Sequence, residues 1–336
     1  MSGASHVRRV ARECTGIARR GRHGSLTQPD PSAPPPRARC VAVTGATGFI
    51  GTHLLQHLTR SGFTVRALTR TPREPKPGIT WIAGDIVEGR GVDELVDGCD
   101  AVLHCAGAVR GARQRDFDAV NVAGTECVVR AAERSGATRL LALSSLAARE
   151  PALSMYSSSK RRGEAVLQNA SVPWTVFRPP AVYGPGDKEL LPLFRLMMQG
   201  IAVVPGHAGR TSLIYVTDLV RAMVAWLGAP ISSGRCFELD DGTPNGYDWS
   251  DMIAIATELR GAPIRRVNVP HAVLASIGLA NLWMGRALHR APMLTSGKVR
   301  ELFHRDWVCR AQDIRNVLSW QPEVGFAEGL RLSFPV

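Results

Sequence analysis

Tyr156 and Lys160, four apart in YSSSK (156–160), have the types and spacing for proton chemistry. On a helix such residues share a face, so the Lys160 ammonium is expected near the Tyr156 phenol, drawing its pKa down from about 10 toward the working range. A phenol placed in this way exchanges a proton with an alcohol or carbonyl oxygen as hydride moves to or from a nicotinamide. Ser144 and Ser145 stand at the end of an apolar run, RLLALS (139–144). If that run is a strand, a hydroxyl there can hold the reacting oxygen, because ligands bind at the C-terminal edge of open α/β sheets; a helix cap or strand-end turn is the plainer reading.

The segment VAVTGATGFIG (41–51) sets Gly45, Gly48 and Gly51 between an apolar strand and an amphipathic helix. Such glycines permit a tight turn, let backbone approach a pyrophosphate and leave room for helix against strand, while the helix N-terminus offers free N–H groups. A dinucleotide is expected here, with Gly45, Thr47, Gly48, Phe49, Ile50 and Gly51 as candidate contacts. An NAD site usually has an acid about 20 residues later for the ribose 2′-OH. This chain has Thr69-Arg70-Thr71 there, with Arg73 close behind. A guanidinium suits a 2′-phosphate, so NADP is expected with NAD as the alternative; the other reading of Arg70 is a solvated loop charge.

These residues need a scaffold, and the chain from residue 40 onward alternates short apolar runs with helical patterns. Strands are expected at 40–44, 64–69, 80–84, 101–105, 139–144 and 174–178, with helices starting near Ile50, Val92, Phe117 and Tyr156. That rhythm builds a doubly wound parallel α/β sheet with helices on both faces. After Pro180 come Gly/Pro-rich loops, a helix at 215–227, a strand at 236–240 and a helical C-terminal region. The expected organisation is a dinucleotide-binding domain at 39–180, to which 212–243 returns, and a smaller substrate-binding part at 181–211 and 244–336.

Composition excludes several classes. Apolar residues at 45% and charged residues at 21% describe an ordinary globular protein. The net charge of +12 does not require a nucleic-acid partner, because residues 1–39 hold eight Arg against Glu13 and Asp30 and so supply +6. With its Pro cluster (29–36), the segment 1–38 reads as a disordered basic leader; an organellar targeting role or an upstream start are the alternatives. Seven cysteines without C-x-x-C spacing point to a reducing, cytoplasmic setting and to no metal site. The most apolar stretch, His271–Leu288, is interrupted by Asn281 and Arg286, so no membrane span is expected.

With these pieces in place, residues 40–335 resemble the extended short-chain dehydrogenase/reductases, the NAD-dependent epimerase/dehydratase superfamily with its Rossmann fold. TGATGFIG (44–51), HCAG (104–107), NVAGT (121–125), SSLAA (144–148), YSSSK (156–160), RPPAVYGPGD (178–187) and YVTDLV (215–220) carry the resemblance in order and spacing. The resemblance implies that Tyr156 is the general acid/base, Lys160 its activator and a ribose ligand, and Ser145 the substrate-oxygen partner. It implies that Asn121 supports a proton-relay water and that Asp85 meets the adenine, with Ile86 among the cofactor contacts. Ala106 and Gly107 would line the cofactor, and Pro179 and Val182 the nicotinamide end.

Thr211-Ser212-Leu213 replaces the Arg-Asp-Phe usual in the sugar-nucleotide enzymes, and Pro180 stands where they often have Asn. The RPPAVYGPGD form looks more like 3β-hydroxysteroid dehydrogenases and dihydroflavonol-type reductases. The expected reaction is therefore hydride transfer between nicotinamide and an apolar secondary alcohol or ketone. Alternatives are a sugar-nucleotide epimerase or dehydratase with tightly held NAD, and a non-catalytic NADP-binding scaffold. The partners expected are a small-molecule substrate and a homodimer mate. VLASIGLANLWMG (273–285) is expected to be a core helix, a greasy cleft wall or a peripheral membrane contact being the alternatives. His207 and Arg210 are candidate substrate contacts or solvated loop residues, and Trp307 a packing anchor.

Overall fold

The computed structural model describes residues 40–206, 209–231, 233–287 and 294–335. The expected leader and His207 lie outside the described residues. Strands β1 (Cys40–Thr44), β2 (Thr64–Thr69), β3 (Ile79–Ala83), β4 (Ala101–His104), β5 (Arg139–Leu143) and β6 (Trp174–Arg178) fall within a residue of the apolar runs. Four short strands follow, β7 (Ala181–Tyr183), β8 (Ile201–Pro205), β9 (Arg210–Thr211) and β10 (Leu213–Tyr215). Then come β11 (Arg235–Glu238), β12 (Arg265–Val269) and β13 (Asp306–Trp307). Seven of them make one parallel sheet in the order β11-β6-β5-β4-β1-β2-β3, with Val41 in register with Val65 on one side and Ala101 on the other.

Parallel strands covered on both faces read as unbroken apolar runs because alternate residues feed two cores. In β1, Val41 and Val43 enter one core and Ala42 the other. The first core receives Leu54 and Leu58 from α1 (Phe49–Arg60). The second receives Val92 and Leu95 from α2 (Val92–Val96). Past α3 (Gln114–Asp118) a π-helical turn, Ala119–Ala123, leads into α4 (Gly124–Ser135), whose Val128 and Ala131 join the second core, as does Leu167 from α5 (Met155–Leu167). After α6 (Leu191–Met198), α7 (Val216–Gly228) covers the first face with Leu219, Met223 and Trp226.

A third core, built on Tyr183, Phe194, Tyr215, Met252 and Phe326, brings together α6, α8 (Trp249–Arg260) and a C-terminal helix. Helices α9 (His271–Ala287), α10 (Ser296–Leu302), α11 (Gln312–Leu318) and α12 (Phe326–Ser333) complete the chain. Helix α9 corrects an expectation. It is not a core helix: Trp283 is 68% exposed and Val273 47%, with Ile277, Leu279 and Met284 exposed too, while Gly278 and Leu282 are buried. A helix apolar all round has the composition of a core helix, and only its position shows that one side lacks a cover.

Candidate active site

The glycine turn, Arg70, Asp85, Ala106, Gly107, Ser145 and Pro179 lie at the C-terminal edge of the sheet because each follows a strand, whereas Tyr156 and Lys160 come from α5 and Asn121 from the π-helical turn. Gly45 follows β1 at φ +68°, where an added Cβ would come 2.6 Å from the Ala106 amide nitrogen. A Cβ at Gly51 would meet the Gly45 carbonyl oxygen at 2.1 Å. Only glycine lets the turn, α1 and the loop after β4 approach so closely. Gly48 begins α1, which has no side-chain cap and no acid in its first turn, so its positive end is left for an anion. Thr47 is exposed beside it, with Phe49 and Ile50 half-buried. Arg70 is exposed past β2. Past β3, Asp85 accepts from the Val87 amide at 2.7 Å, and Ile86 is buried against Gly124. Pro179 follows β6, its carbonyl accepting from Leu146 N–H at 2.8 Å, and Val182 pairs with Ile214 in the β7–β10 ribbon. This Cβ-free cradle and the uncapped helix end fit a dinucleotide.

A buried polar chain braces the cradle. The Ala106 amide donates to Thr44 Oγ1 (3.3 Å), which lies 2.7 Å from His104 Nδ1; His104 Nε2 lies 3.0 Å from Thr125 Oγ1, which donates to the Asn121 carbonyl (2.9 Å). Donor follows donor only if His104 carries its proton on Nε2. Burial holds its pKa down at about 3, so the ring is neutral. Beside it, burial pushes the Cys105 thiol up to about 12. Among the described residues no group of three His, Cys, Asp or Glu side chains is placed to hold a metal ion.

Asn121 lies in the π-helical turn, where its side chain clamps the Ala108 backbone, accepting from its N–H (2.8 Å) and donating to its carbonyl (3.0 Å), and donates to Ser159 Oγ (2.8 Å). A Cβ at Gly107 would touch both Asn121 Oδ1 at 3.4 Å and Lys160 Nζ at 3.3 Å. Lys160 donates to the Leu143 carbonyl at 2.9 Å, and burial pulls its pKa down to about 8. Gly107, Asn121 and Lys160 therefore form one cluster under the loop that follows β4.

The phenol of Tyr156 departs from expectation. Burial raises its pKa, a hydrogen bond from Ser145 works in the opposite direction, and the charges it feels are Lys298, which lowers it, and Glu301, which raises it. Lys160 is not the cation that tunes it, because that ammonium turns to the end of β5. Sequence reasoning missed Lys298 and Glu301, since α10 meets the start of α5 only through tertiary packing. Lys298 Nζ donates to Glu301 Oε2 at 3.1 Å. The buried Glu301 carboxylate also accepts from Ser157 Oγ at 3.0 Å and from Ser154, the N-cap of α5. Val109, Arg110, Phe117, Met155, Tyr156, Thr295 and Lys298 are among the walls of a small cleft.

Other expected contacts have structural partners. Ser145 Oγ caps the short helical turn Leu146–Arg149 by accepting from Ala147 N–H at 3.2 Å, in addition to its bond with Tyr156. Ser144 donates to Glu164 at 2.5 Å, and Glu164 is paired with Arg178. Arg210 does not line the Tyr156 cleft; its part-exposed side chain bridges Asp251 at 2.8 Å and Asp248 at 3.3 Å and donates to the Asn245 and Gly246 carbonyls, tying β9 to the start of α8. Trp307 packs against Leu146 and Cys309, with its indole donating to the Glu301 carbonyl at 2.8 Å.

Comparison with known proteins agrees with this geometry. The profile of the NAD dependent epimerase/dehydratase family matches residues 41–237. Ceramide reductase of Caulobacter vibrioides is 36% identical over 276 residues, covering 80% of this chain and 85% of the relative. A 3 beta-hydroxysteroid dehydrogenase/Delta 5-->4-isomerase of Mycobacterium tuberculosis is 26% identical over 321 residues, covering 84% of this chain and 86% of the relative. The solved structure of a Bacillus cereus UDP-glucuronic acid 4-epimerase, holding UDP-glucuronic acid and NAD, superimposes with a TM-score of 0.67 at 19% identity, over 88% of this chain and 97% of that one.

Proposed function

Because the chain belongs to the NAD dependent epimerase/dehydratase family, we propose that it is an NAD(P)-dependent ketoreductase of apolar, lipid-like substrates with Tyr156 as proton donor. Gly45, Thr47, Gly48, Phe49, Ile50 and Gly51 hold the pyrophosphate, Asp85 and Ile86 the adenine side, and Arg70 a 2′-phosphate, which favours NADP over NAD. Ala106, Gly107, Pro179 and Val182 line the nicotinamide half. When bound, the nicotinamide supplies the hydride in reduction or takes it in oxidation.

The chain's own residues handle the proton and the oxygen. Ser145 orients the substrate oxygen and the phenol together, and Tyr156 passes its proton to that oxygen as the carbonyl becomes an alcohol. Burial keeps the phenol protonated at neutral pH, the state a reductase needs, and Lys298 keeps its pKa from rising further. Lys160 serves the ribose, and Asn121 fixes the Ala108 backbone beside it along the route by which solvent restores the phenolic proton. The observation that carries the reading is the Tyr156 cleft, in which Val109, Phe117 and Met155 line the space together with the polar Lys298 and Glu301 that set the phenol's charge environment. Likeness to ceramide reductase supports a lipid-like ketone. Burial of Ser212 and Leu213, which stand where sugar-nucleotide enzymes usually carry Arg-Asp-Phe residues, speaks against a nucleotide subsite there.

The test is a substrate panel with NADPH: a long-chain amido ketone of the ceramide type, a 3-oxosteroid and UDP-glucose, each followed by loss of NADPH fluorescence. Turnover of the ketones is expected. Epimerisation of UDP-glucose by protein that retains NAD through purification would overturn the proposal.

A further inference from the structure

From His271 to Gly285, α9 has no charged side chain. Its inner ridge is fastened: a Cβ on Gly278 would come 2.9 Å from the Thr295 carbonyl carbon, and the His271 ring packs on Phe303 with centroids 4.7 Å apart. Its outer ridges, with Val273, Ile277, Leu279, Trp283 and Met284, form a continuous exposed apolar face. Positive charge is concentrated in the stretch of chain that carries this face. Residues 260–310 hold nine Lys and Arg against Glu301 and Asp306, a net +7, so the rest of 40–336 is −1. Arg265 and Arg266 just before α9, and Arg300 and Arg305 in and after α10, are exposed.

We propose that the outer face of α9 docks on the surface of an anionic lipid bilayer, with its apolar ridges at the headgroup–acyl boundary and the surrounding arginines over the headgroups. At 17 residues the helix is about 25 Å long, shorter than a span requires, and no described helix is long and apolar enough to cross a membrane. It therefore lies on the bilayer. A second copy of the chain is the poorer occupant, because apposing two such faces brings two +7 segments together. The inner side of α9, opposite the docked face, adjoins the candidate active site, since Thr295 both lies against Gly278 and lines the cleft beside Tyr156 and Lys298. This purpose for the docking, bringing the cleft to a lipid-borne ketone, rests on the reductase reading; the docking itself does not.

Flotation of the full chain with phosphatidylcholine vesicles, with and without phosphatidylglycerol, tests the proposal, beside the doubly altered Ile277→Ser/Trp283→Ser chain. Both side chains are solvent-exposed, so the variant should fold and keep its turnover of a water-soluble ketone. Binding is expected with phosphatidylglycerol, falling as salt is raised, and the variant is expected to bind about tenfold or more weakly. No binding by the unaltered chain, or equal binding by the variant, overturns the proposal. So does a dimer in the unaltered chain that the substitutions dissociate without any vesicle binding. Vesicle binding by a chain that reduces no ketone upholds the docking and removes only the reductase reading.

Discussion

His104 ties acid stability to the cofactor cradle, and acidification is the perturbation that shows it. The ring is 3% exposed, with both nitrogens engaged, Nδ1 with Thr44 and Nε2 with Thr125. Its pKa is held at about 3 against 6.5 in the unfolded chain, so below pH 6.5 the unfolded state takes up a proton that the folded state refuses. Stability from this residue is complete above pH 6.5 and declines as pH falls toward 3. Linkage gives a loss of about 2 kcal/mol between pH 7 and pH 5 and about 4 kcal/mol by pH 3. The assay is urea unfolding at pH 7 and pH 5 for the unaltered chain and His104→Gln, which keeps a donor and an acceptor but does not titrate. Other groups titrate alike in both proteins, so the difference between the two pH effects isolates His104. A pH effect smaller by about 2 kcal/mol in the variant is expected. Equal effects would refute the buried neutral ring.

Three further outcomes follow from the same geometry. Arg70→Asp should lower NADP affinity by about tenfold or more and narrow or reverse the preference over NAD, read by dinucleotide titration; unchanged affinities would return Arg70 to the solvated loop. Lys298→Met should move the alkaline limb of the reduction rate upward, since the phenol loses a cation that lowers its pKa, and an unmoved limb would make Lys298 a bystander. Free of dinucleotide, the protein should gain stability as pH rises from about 8 toward 10.5, because the unfolded chain keeps the Lys160 proton after the folded one has lost it. Thermal melts of Lys160→Met should lack that rise.

The sheet was legible because a strand buried on both faces leaves an unbroken apolar run, as in Val41-Ala42-Val43, and because Gly45, Gly48 and Gly51 suit few other contexts. Tyr156 and Lys160 could be paired from spacing alone, but not aimed. The direction of an ammonium depends on what else is within reach, and the Leu143 carbonyl at 2.9 Å holds this one. Lys298 and Glu301 lie more than a hundred residues from Tyr156, in a segment whose pattern gives no sign of the Ser154 and Ser157 hydroxyls it meets. Arg210 looked like a loop charge because Asp248 and Asp251 are distant in sequence. Composition could not separate a core helix from one lying on the surface, which is how α9 was misjudged.

Steady-state kinetics of Tyr156→Phe, with dinucleotide titration, test the central claim most directly. Only the hydroxyl bonded to Ser145 is removed, so NADPH affinity should persist while kcat falls by roughly 10²- to 10⁴-fold. Near-full turnover by Tyr156→Phe would contradict the assignment of the proton to this phenol.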